Sequence, residues 1–363
     1  LIDAAKGSVL AISEALTNIV WAPLRYGLKG VSLSANWMWP ARNEGENARL
    51  YSAVEAASKF AISLGINIPT GKDSLSMTQK YPDGQKVLAP GTVVISAVAE
   101  VSDVKKIVKP VLSNDENTEI IYVPFTKSGF ELGGSSFAQI LGMLGMTPPD
   151  ISDPEYFKKS FEAIQNLLNE GLIIAGHDIS SGGLITALLE MNFSNLKGGL
   201  DIDLTELCEK DLIRLLFSEK PAVIIQVKKD QEVLSLLKSS GIVAFKIGKY
   251  VSLREVRIQN WGTVHHFDID SLRDIWFKTS YLFDRNQTKP MFALARYRNY
   301  KKQPLIFNFS DIFLGKFSQL GIKPKEMGGK KIKAAIIREK GVNGDREMAW
   351  SLHLAGFEVK DIH

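Results

Sequence analysis

The chain has 363 residues, 45% hydrophobic and 23% charged, which excludes wholesale disorder and, at about 150 residues per domain, allows two domains and a fragment of a third. Lysine and arginine total 44 against 40 aspartate and glutamate, and the net charge of +4 is too thin and too evenly spread to suggest nucleic acid or a membrane surface. The lone cysteine, Cys208, permits neither an intrachain disulfide nor a CxxC metal knuckle, so a cytoplasmic setting is expected.

Residues 5 to 20 predict an amphipathic helix with Val9, Ile12, Leu16, Ile19 and Val20 on one stripe. Glu14 and Asn18 lie one turn apart on the opposite face. A strand is expected over 31–36, a loop over 40–45, and a helix over about 47–64 that turns Leu50, Val54, Ala57, Phe60 and Leu64 inward and stops at Gly65. Gly91 to Val101 reads as a strand. The polar stretch from Pro110 to Asn117 marks a domain boundary. Beyond it, residues 119–123 form a strand, and Asp153-Pro154 open a helix with Phe157, Phe161, Ile164 and Leu168 inward and Gly171 as its stop. The buried strand 172–175 runs into Gly176-His177-Asp178-Ile179-Ser180-Ser181-Gly182-Gly183 and a helix through Met191. A strand over 221–227, a helix over 230–239 and a strand over 243–247 continue the alternation. From about 276 to 330 the pattern weakens and reads as linker. A strand over 332–337, a loop over 341–344, a helix over 345–354 and a stop at Gly356 then form the opening βα unit of a third domain. No apolar run approaches the roughly 20 residues that span a bilayer, and no signal-peptide layout is present. Both ends read as cuts in a longer protein.

Two constellations could carry chemistry. Oxygen donors at i and i+4, Glu14 and Asn18, suit a hard cation such as Mg²⁺; a solvated helix face is the plainer reading of the spacing. The segment Asp178 to Gly183 brings an acid to a strand end, follows it with the Ser180 hydroxyl, and sets Gly182 and Gly183 at the head of a helix, where phosphate is favoured. A turn capped by Ser180 or Ser181 uses the same groups, and both readings stay open. Gly71-Lys72-Asp73-Ser74 fails as a Walker A loop, because Gly65 is misplaced and aspartate follows the lysine; Lys72 remains a candidate point-charge contact to a phosphate. Gly133-Gly134-Ser135-Ser136 reads as a packing turn or a ligand contact. His265 and His266 point to opposite faces of a strand. Cys208 reads as helical and buried, and Trp37, Met38 and Trp39 as core or interface.

The stretches "EALTNI" at 14–19, "LSANWMWP" at 33–40, "ARLYSAVEA" at 48–56 and "GINIPTGKDSLSM" at 65–77 resemble the family of large, single-chain phosphoribosylformylglycinamidine synthases. So do "ELGGSSFAQILGMLG" at 131–145, "HDISSGGLITALLEM" at 177–191 and "REKGVNGDREMAWSLHLAGFEV" at 338–359. The resemblance implies an α+β and α/β fold: an aminoimidazole-ribonucleotide-synthetase-like unit of two subdomains, followed by the first βα unit of a class I glutamine amidotransferase. On that reading, 1–110 is the first subdomain, 111–275 the second, 276–330 a linker and 331–363 the start of the glutaminase.

The family converts formylglycinamide ribonucleotide to formylglycinamidine ribonucleotide with ATP and glutamine in purine biosynthesis. This chain resembles the second of two fused synthetase halves, whose site holds magnesium and ATP or ADP in an auxiliary role. The implied metal ligands are Glu14, Asn18 and Asp178, and Ser180 matches a nucleotide contact; no catalytic residue is expected within the chain. The implied partners are the first synthetase half and the glutaminase, with self-association of a shortened piece a further expectation. Ser181 and Asn47 depart from the family's usual aspartates. A stand-alone ATP-using relative and a ligand-free structural half are the alternative functions.

Overall fold

The computed structural model describes residues 2–299, 308–321, 331–338 and 344–362, in two units that span 1–307 and 308–363. In the first unit, α1 (Ala4–Ile19) starts where the Asp3 carboxylate accepts from the Lys6 N–H at 2.9 Å. Ile12, Leu16 and Val20 are buried, whereas Val9 and Ile19 are half-buried at the rim of the stripe. The buried face turns instead toward Ser8, Ser13 and Thr17, because Ser8 Oγ donates to the Ala53 carbonyl at 2.7 Å and draws in a second helix.

Strand β1 (Ser32–Met38) leads to that helix, α2 (Glu46–Leu64), which Gly65 ends at φ +73°. Ala57, Phe60 and Leu64 point inward as expected, but Val54 is 43% exposed. The small Ala53 takes the inner position in its place and lets the two helices approach closely. Strand β2 (Asn67–Ser74), the hairpin of β3 (Thr78–Lys80) and β4 (Lys86–Leu88), and β5 (Thr92–Val98) complete this subdomain. The sheet runs β2-β1-β5, with β2 parallel and β5 antiparallel to β1.

Next come β6 (Glu119–Pro124), α3 (Ser136–Ile140), α4 (Pro154–Asn169), β7 (Ile173–Asp178) and α5 (Gly183–Phe193). They are followed by β8 (Gly199–Asp203), α6 (Leu212–Phe217), β9 (Ala222–Val227), α7 (Asp230–Ser239), β10 (Phe245–Val251), β11 (Glu255–Asn260) and β12 (Thr263–Asp268). The seven strands order as β12-β11-β8-β10-β6-β9-β7, antiparallel except for the β8–β11 pair. One core, built on Phe125, Phe157, Phe161 and Ile164, continues through Leu16, Phe60 and Leu64 of the first subdomain. Phe60 meets Phe157 edge-on at 5.5 Å between centroids. A second core gathers Leu184, Leu188 and Met191 with Ile224 and Ile258.

Gln165 of α4 fixes the joint between the subdomains. Its Oε1 accepts from the Leu24 N–H at 2.9 Å, and its Nε2 donates to the carbonyls of Val20 at 2.6 Å and Ala22 at 2.9 Å. The turn that leaves α1 is thereby held by a buried amide, which satisfies three backbone groups.

The weak pattern from 276 onward conceals two helices, α8 (Ile269–Gln287) and α9 (Pro290–Asn299). Their contact is aromatic and cationic, not an apolar stripe: the Arg273 guanidinium lies 4.7 Å from the Phe277 ring and 5.8 Å from that of Tyr297. Residues 300–307 and 322–330 of the expected linker lie outside the described residues. Cys208 also differs from its expected burial in a helix. It is exposed at φ +57°, just after a short 3₁₀ turn (Thr205–Leu207).

In the second unit, β13 (Lys333–Ile337) and β14 (Glu358–Ile362) pair in parallel around α10 (Asp345–Leu354), a βαβ turn. Arg338 Nε meets Asp361 Oδ1 at 2.8 Å, and its Nη1 meets Asp345 Oδ2 at 3.3 Å. Gly341, Val342 and Asn343 of the expected loop lie outside the described residues. Among the described residues, no helix is long and apolar enough to cross a membrane.

Candidate functional site

A cleft of about 260 Å³ opens between α1, the loops flanking α3 and the turn after β7. Asp3, Gly7, Leu10, Glu14, Ser180 and Glu219 are among its lining residues. A neighbouring cleft of about 360 Å³, walled by Trp39 and Arg49, shares Asp3, Gly7 and Gln139 with it. Together they offer the room of a small-molecule site.

Glu14 stands exposed on α1, where its helical carbonyl accepts from Asn18 Nδ2 at 2.9 Å and from Thr17 Oγ1 at 3.1 Å. The Asn18 amide nitrogen is thus occupied, and its Oδ1 is the atom left to act as a ligand. Ser180 Oγ donates to Glu14 Oε1 at 2.7 Å, across 166 residues of sequence. The fold thus brings Glu14 and Ser180 together from distant parts of the sequence. Asp178 ends β7 and is 7% exposed; its Oδ1 lies 3.6 Å from His177 Nδ1. Lys72 is exposed on β2 and donates to Ser74 Oγ at 3.0 Å. Asn18, Lys72, Asp178 and Gly182 are not among the residues that line the 260 Å³ cleft.

The turn after β7 bends on Gly182 (φ +87°) and Gly183 (φ +73°). A Cβ on Gly183 would sit 2.5 Å from the Leu216 carbonyl oxygen, so close packing on α6 already requires glycine there. Gly133 is similar, with a Cβ that would meet the Thr147 carbonyl oxygen at 2.4 Å. Neither Ser180 nor Ser181 caps α5. Gly182 occupies the N-cap with no side-chain cap of its own.

The cap comes from a residue that the sequence patterns did not reveal. Glu219, in the loop between α6 and β9, accepts through Oε1 from the N–H of Gly182 at 3.0 Å and from that of Ser136 at 2.7 Å. Ser136 Oγ and Ser181 Oγ lie 3.2 Å apart beside it. The distance in sequence is what hid the contact, since no local pattern links residue 219 to residues 136 and 182.

His177 was also missed as a partner. Its Nε2 lies 3.1 Å from Glu190 Oε2, and Trp276 Nε1 donates to Glu190 Oε1 at 3.0 Å. Burial opposes protonation of His177, but the hydrogen bonds to Glu190 and to the Asp178 carbonyl, with both carboxylate charges, hold its pKa above the ordinary imidazole value.

The donor chemistry of Glu14, Asn18 and Asp178 fits a magnesium ion: all three offer hard oxygens, and none is a soft ligand. Among the described residues, no group of three or more His, Cys, Asp or Glu side chains gathers as a ready metal cage.

Comparison with known proteins accords with this architecture. Residues 1–100 match the FGAR-AT PurM_N-like domain, 120–259 the AIR synthase related protein, C-terminal domain, and 331–363 the CobB/CobQ-like glutamine amidotransferase domain. Human phosphoribosylformylglycinamidine synthase is 37% identical over 369 residues, covering 100% of this chain and 27% of the human protein. The probable chloroplastic/mitochondrial phosphoribosylformylglycinamidine synthase of Arabidopsis thaliana is also 37% identical, over 100% of this chain and 25% of its own length. The chain therefore spans about a quarter of the length of the curated relatives it matches. Among solved structures, T. maritima PurL complexed with ATP shares the fold, with a TM-score of 0.55 at 12% identity over 74% of this chain and 41% of that one. Along its whole length the chain is similar to the phosphoribosylformylglycinamidine synthases, with a synthetase-like unit followed by residues that match a glutamine amidotransferase domain.

Proposed function

We propose that this chain serves the ATP- and glutamine-dependent conversion of formylglycinamide ribonucleotide to formylglycinamidine ribonucleotide in purine biosynthesis. Its part is to hold an auxiliary magnesium-bound ATP or ADP, and to dock the glutaminase and the first synthetase half. The observation that carries the reading is the 2.7 Å bond from Ser180 to Glu14, which joins a strand-end turn of one subdomain to a helix of the other at the wall of a cleft. Sites of this kind, between two packed subdomains, are where small ligands bind.

In this reading Glu14, Asn18 and Asp178 supply oxygens to magnesium, while Ser180 and Lys72 meet the nucleotide and Gly182 shapes the turn that carries Ser180. Magnesium, when bound, supplies neutralisation of phosphate charge. The protein's own work is positional: Ser180 orients the Glu14 carboxylate, and the Gln165 amide holds the end of α1 that carries it. No catalytic residue is assigned within the chain, and the lone exposed Cys208 fits a reducing, cytoplasmic place without acting as a nucleophile.

A second reading, a ligand-free structural half, draws on the absence of any lysine or arginine among the residues lining the 260 Å³ cleft. Thermal unfolding separates the two. A ligand at 100 times its Kd stabilises by about 2.7 kcal/mol, so MgADP should raise the Tm of the chain and leave that of Glu14→Gln unmoved. Equal melting of the wild-type chain with and without MgADP selects the structural reading.

A further inference from the structure

We infer that Glu219 is a specificity-determining residue of this cleft: its carboxylate closes two backbone N–H groups to free phosphate, so that a nucleotide's phosphates enter only as a metal complex. The inference rests on the nucleotide reading proposed above and adds to it the form in which the ligand is accepted.

The Gly-Gly turn before α5 is a place where the sequence allows either a phosphate or a capped turn. In the fold, that place is taken by the protein's own anion. Glu219 Oε1 is held at 3.0 Å by the Gly182 N–H and at 2.7 Å by the Ser136 N–H. A phosphate oxygen that sought those donors would have to displace a carboxylate and leave it uncompensated beside its own charge.

The residues on either side of Glu219 prevent an easy retreat. Ser218 Oγ donates to the Glu131 carbonyl at 2.8 Å. Lys220 is 7% exposed and turns away from the cleft, with Nζ bonded to the Ser128 carbonyl and 4.7 Å from the Phe130 ring. Pro221 then starts the approach to β9 and lines the same cleft. The loop is pinned on both flanks of Glu219, its one ionisable side chain that lines the cleft.

Charge completes the argument. The lining of the 260 Å³ cleft holds the carboxylates of Asp3, Glu14 and Glu219 and neither lysine nor arginine, and Arg49 on the wall of the neighbouring cleft is paired with Glu46 at 2.7 Å. Such a surface repels a bare polyphosphate. A divalent cation cancels two of the ligand's charges and finds oxygen donors on the wall, so the metal complex is the species that fits.

The test titrates inorganic pyrophosphate and ADP calorimetrically, each with EDTA and with excess Mg²⁺, into the wild-type chain and Glu219→Gln. Glutamine keeps an oxygen acceptor for both N–H groups and removes only the charge. The wild-type chain should give no metal-free binding. In Glu219→Gln the ratio of metal-free to magnesium-bound Kd for ADP should fall at least tenfold, and metal-free pyrophosphate should bind. Glu219→Ala, which frees both N–H groups, should bind metal-free pyrophosphate more tightly still. The inference is overturned if the wild-type chain binds metal-free pyrophosphate as well as the variants do, or if neither variant gains it. Failure of the wild-type chain to bind MgADP would sink the nucleotide reading, while the pyrophosphate comparison would still decide the role of Glu219.

Discussion

Gln165→Leu should cost the chain about 3 kcal/mol of stability. Leucine fills a similar volume but removes an amide that engages the Leu24 N–H and the Val20 and Ala22 carbonyls, all at 2.6 to 2.9 Å. Gln165 is 5% exposed, so water has little access to the groups left behind. Each unpaired buried backbone group costs at least about 1 kcal/mol, and the three together reach about 3 kcal/mol, a large share of the roughly 5–15 kcal/mol that holds a domain. Urea unfolding followed by tryptophan fluorescence reads this directly, since Trp21 sits in the clamped turn. A second effect distinguishes a clamp from a generic core residue. Glu14 lies less than two turns upstream of Val20, the residue that caps the same helix, so loosening the turn should also weaken MgADP binding. Gln226→Leu is the control. It breaks a comparable buried set, to the Ser113 N–H at 2.7 Å, the Ser113 carbonyl at 2.9 Å and Thr118 Oγ1 at 2.7 Å, in a sheet far from Glu14 in sequence. A loss below about 1 kcal/mol in Gln165→Leu, or an equal fall in nucleotide affinity in both variants, would refute the reasoning.

Lys220→Met should stabilise the chain at neutral pH. Burial pushes the Lys220 ammonium down to about 8 from its ordinary 10.5, a penalty of about 3 kcal/mol, of which the lost contacts to the Ser128 carbonyl and Phe130 return about 1 to 2. Because the folded pKa lies below the unfolded one, the penalty is complete below pH 8 and fades as the pH rises toward 10.5. The advantage of the methionine variant should shrink over that same interval, and a pH-independent difference in Tm would contradict it. Gly176→Ala should destabilise by about 1–3 kcal/mol, since the new Cβ would meet the Trp21 ring at 2.1 Å; an unchanged urea midpoint would show that the ring yields freely. Asp178→Ala should lower MgADP affinity more than Lys72→Ala does, because a strand-end carboxylate is harder to replace by solvent than an exposed point charge. Equal losses in a calorimetric titration would count against the metal role of Asp178.

Much of the fold was legible because local rules coincide with tertiary ones. Asp153 and Pro154 start α4, and Gly171 follows it at φ +72°, as capping chemistry demands. The strand-turn-helix from β7 to α5 also fell where the pattern put it. The misses have a common cause. Val54 yields its place to Ala53 because two helices approach closely there, a fact that apolar periodicity cannot encode. Helices α8 and α9 pack through Arg273 against aromatic rings, so their sequence carries no plain apolar stripe. Cys208 adopts a left-handed backbone at the end of a 3₁₀ turn, which resembles a helix in composition alone. At the site, Glu14 and Ser180 could be named from local motifs and a family resemblance. Glu219 could not, since its partners lie 37 and 83 residues away and its neighbours in sequence point elsewhere.

The central claim is that this chain owns a magnesium-dependent nucleotide site. Isothermal titration of the chain with ADP, in excess Mg²⁺ and again in EDTA, tests it most directly. The account predicts one site, heat only with Mg²⁺, and loss of binding in Glu14→Ala. Absence of binding with Mg²⁺ at millimolar ADP, or binding that Glu14→Ala leaves intact, would contradict it.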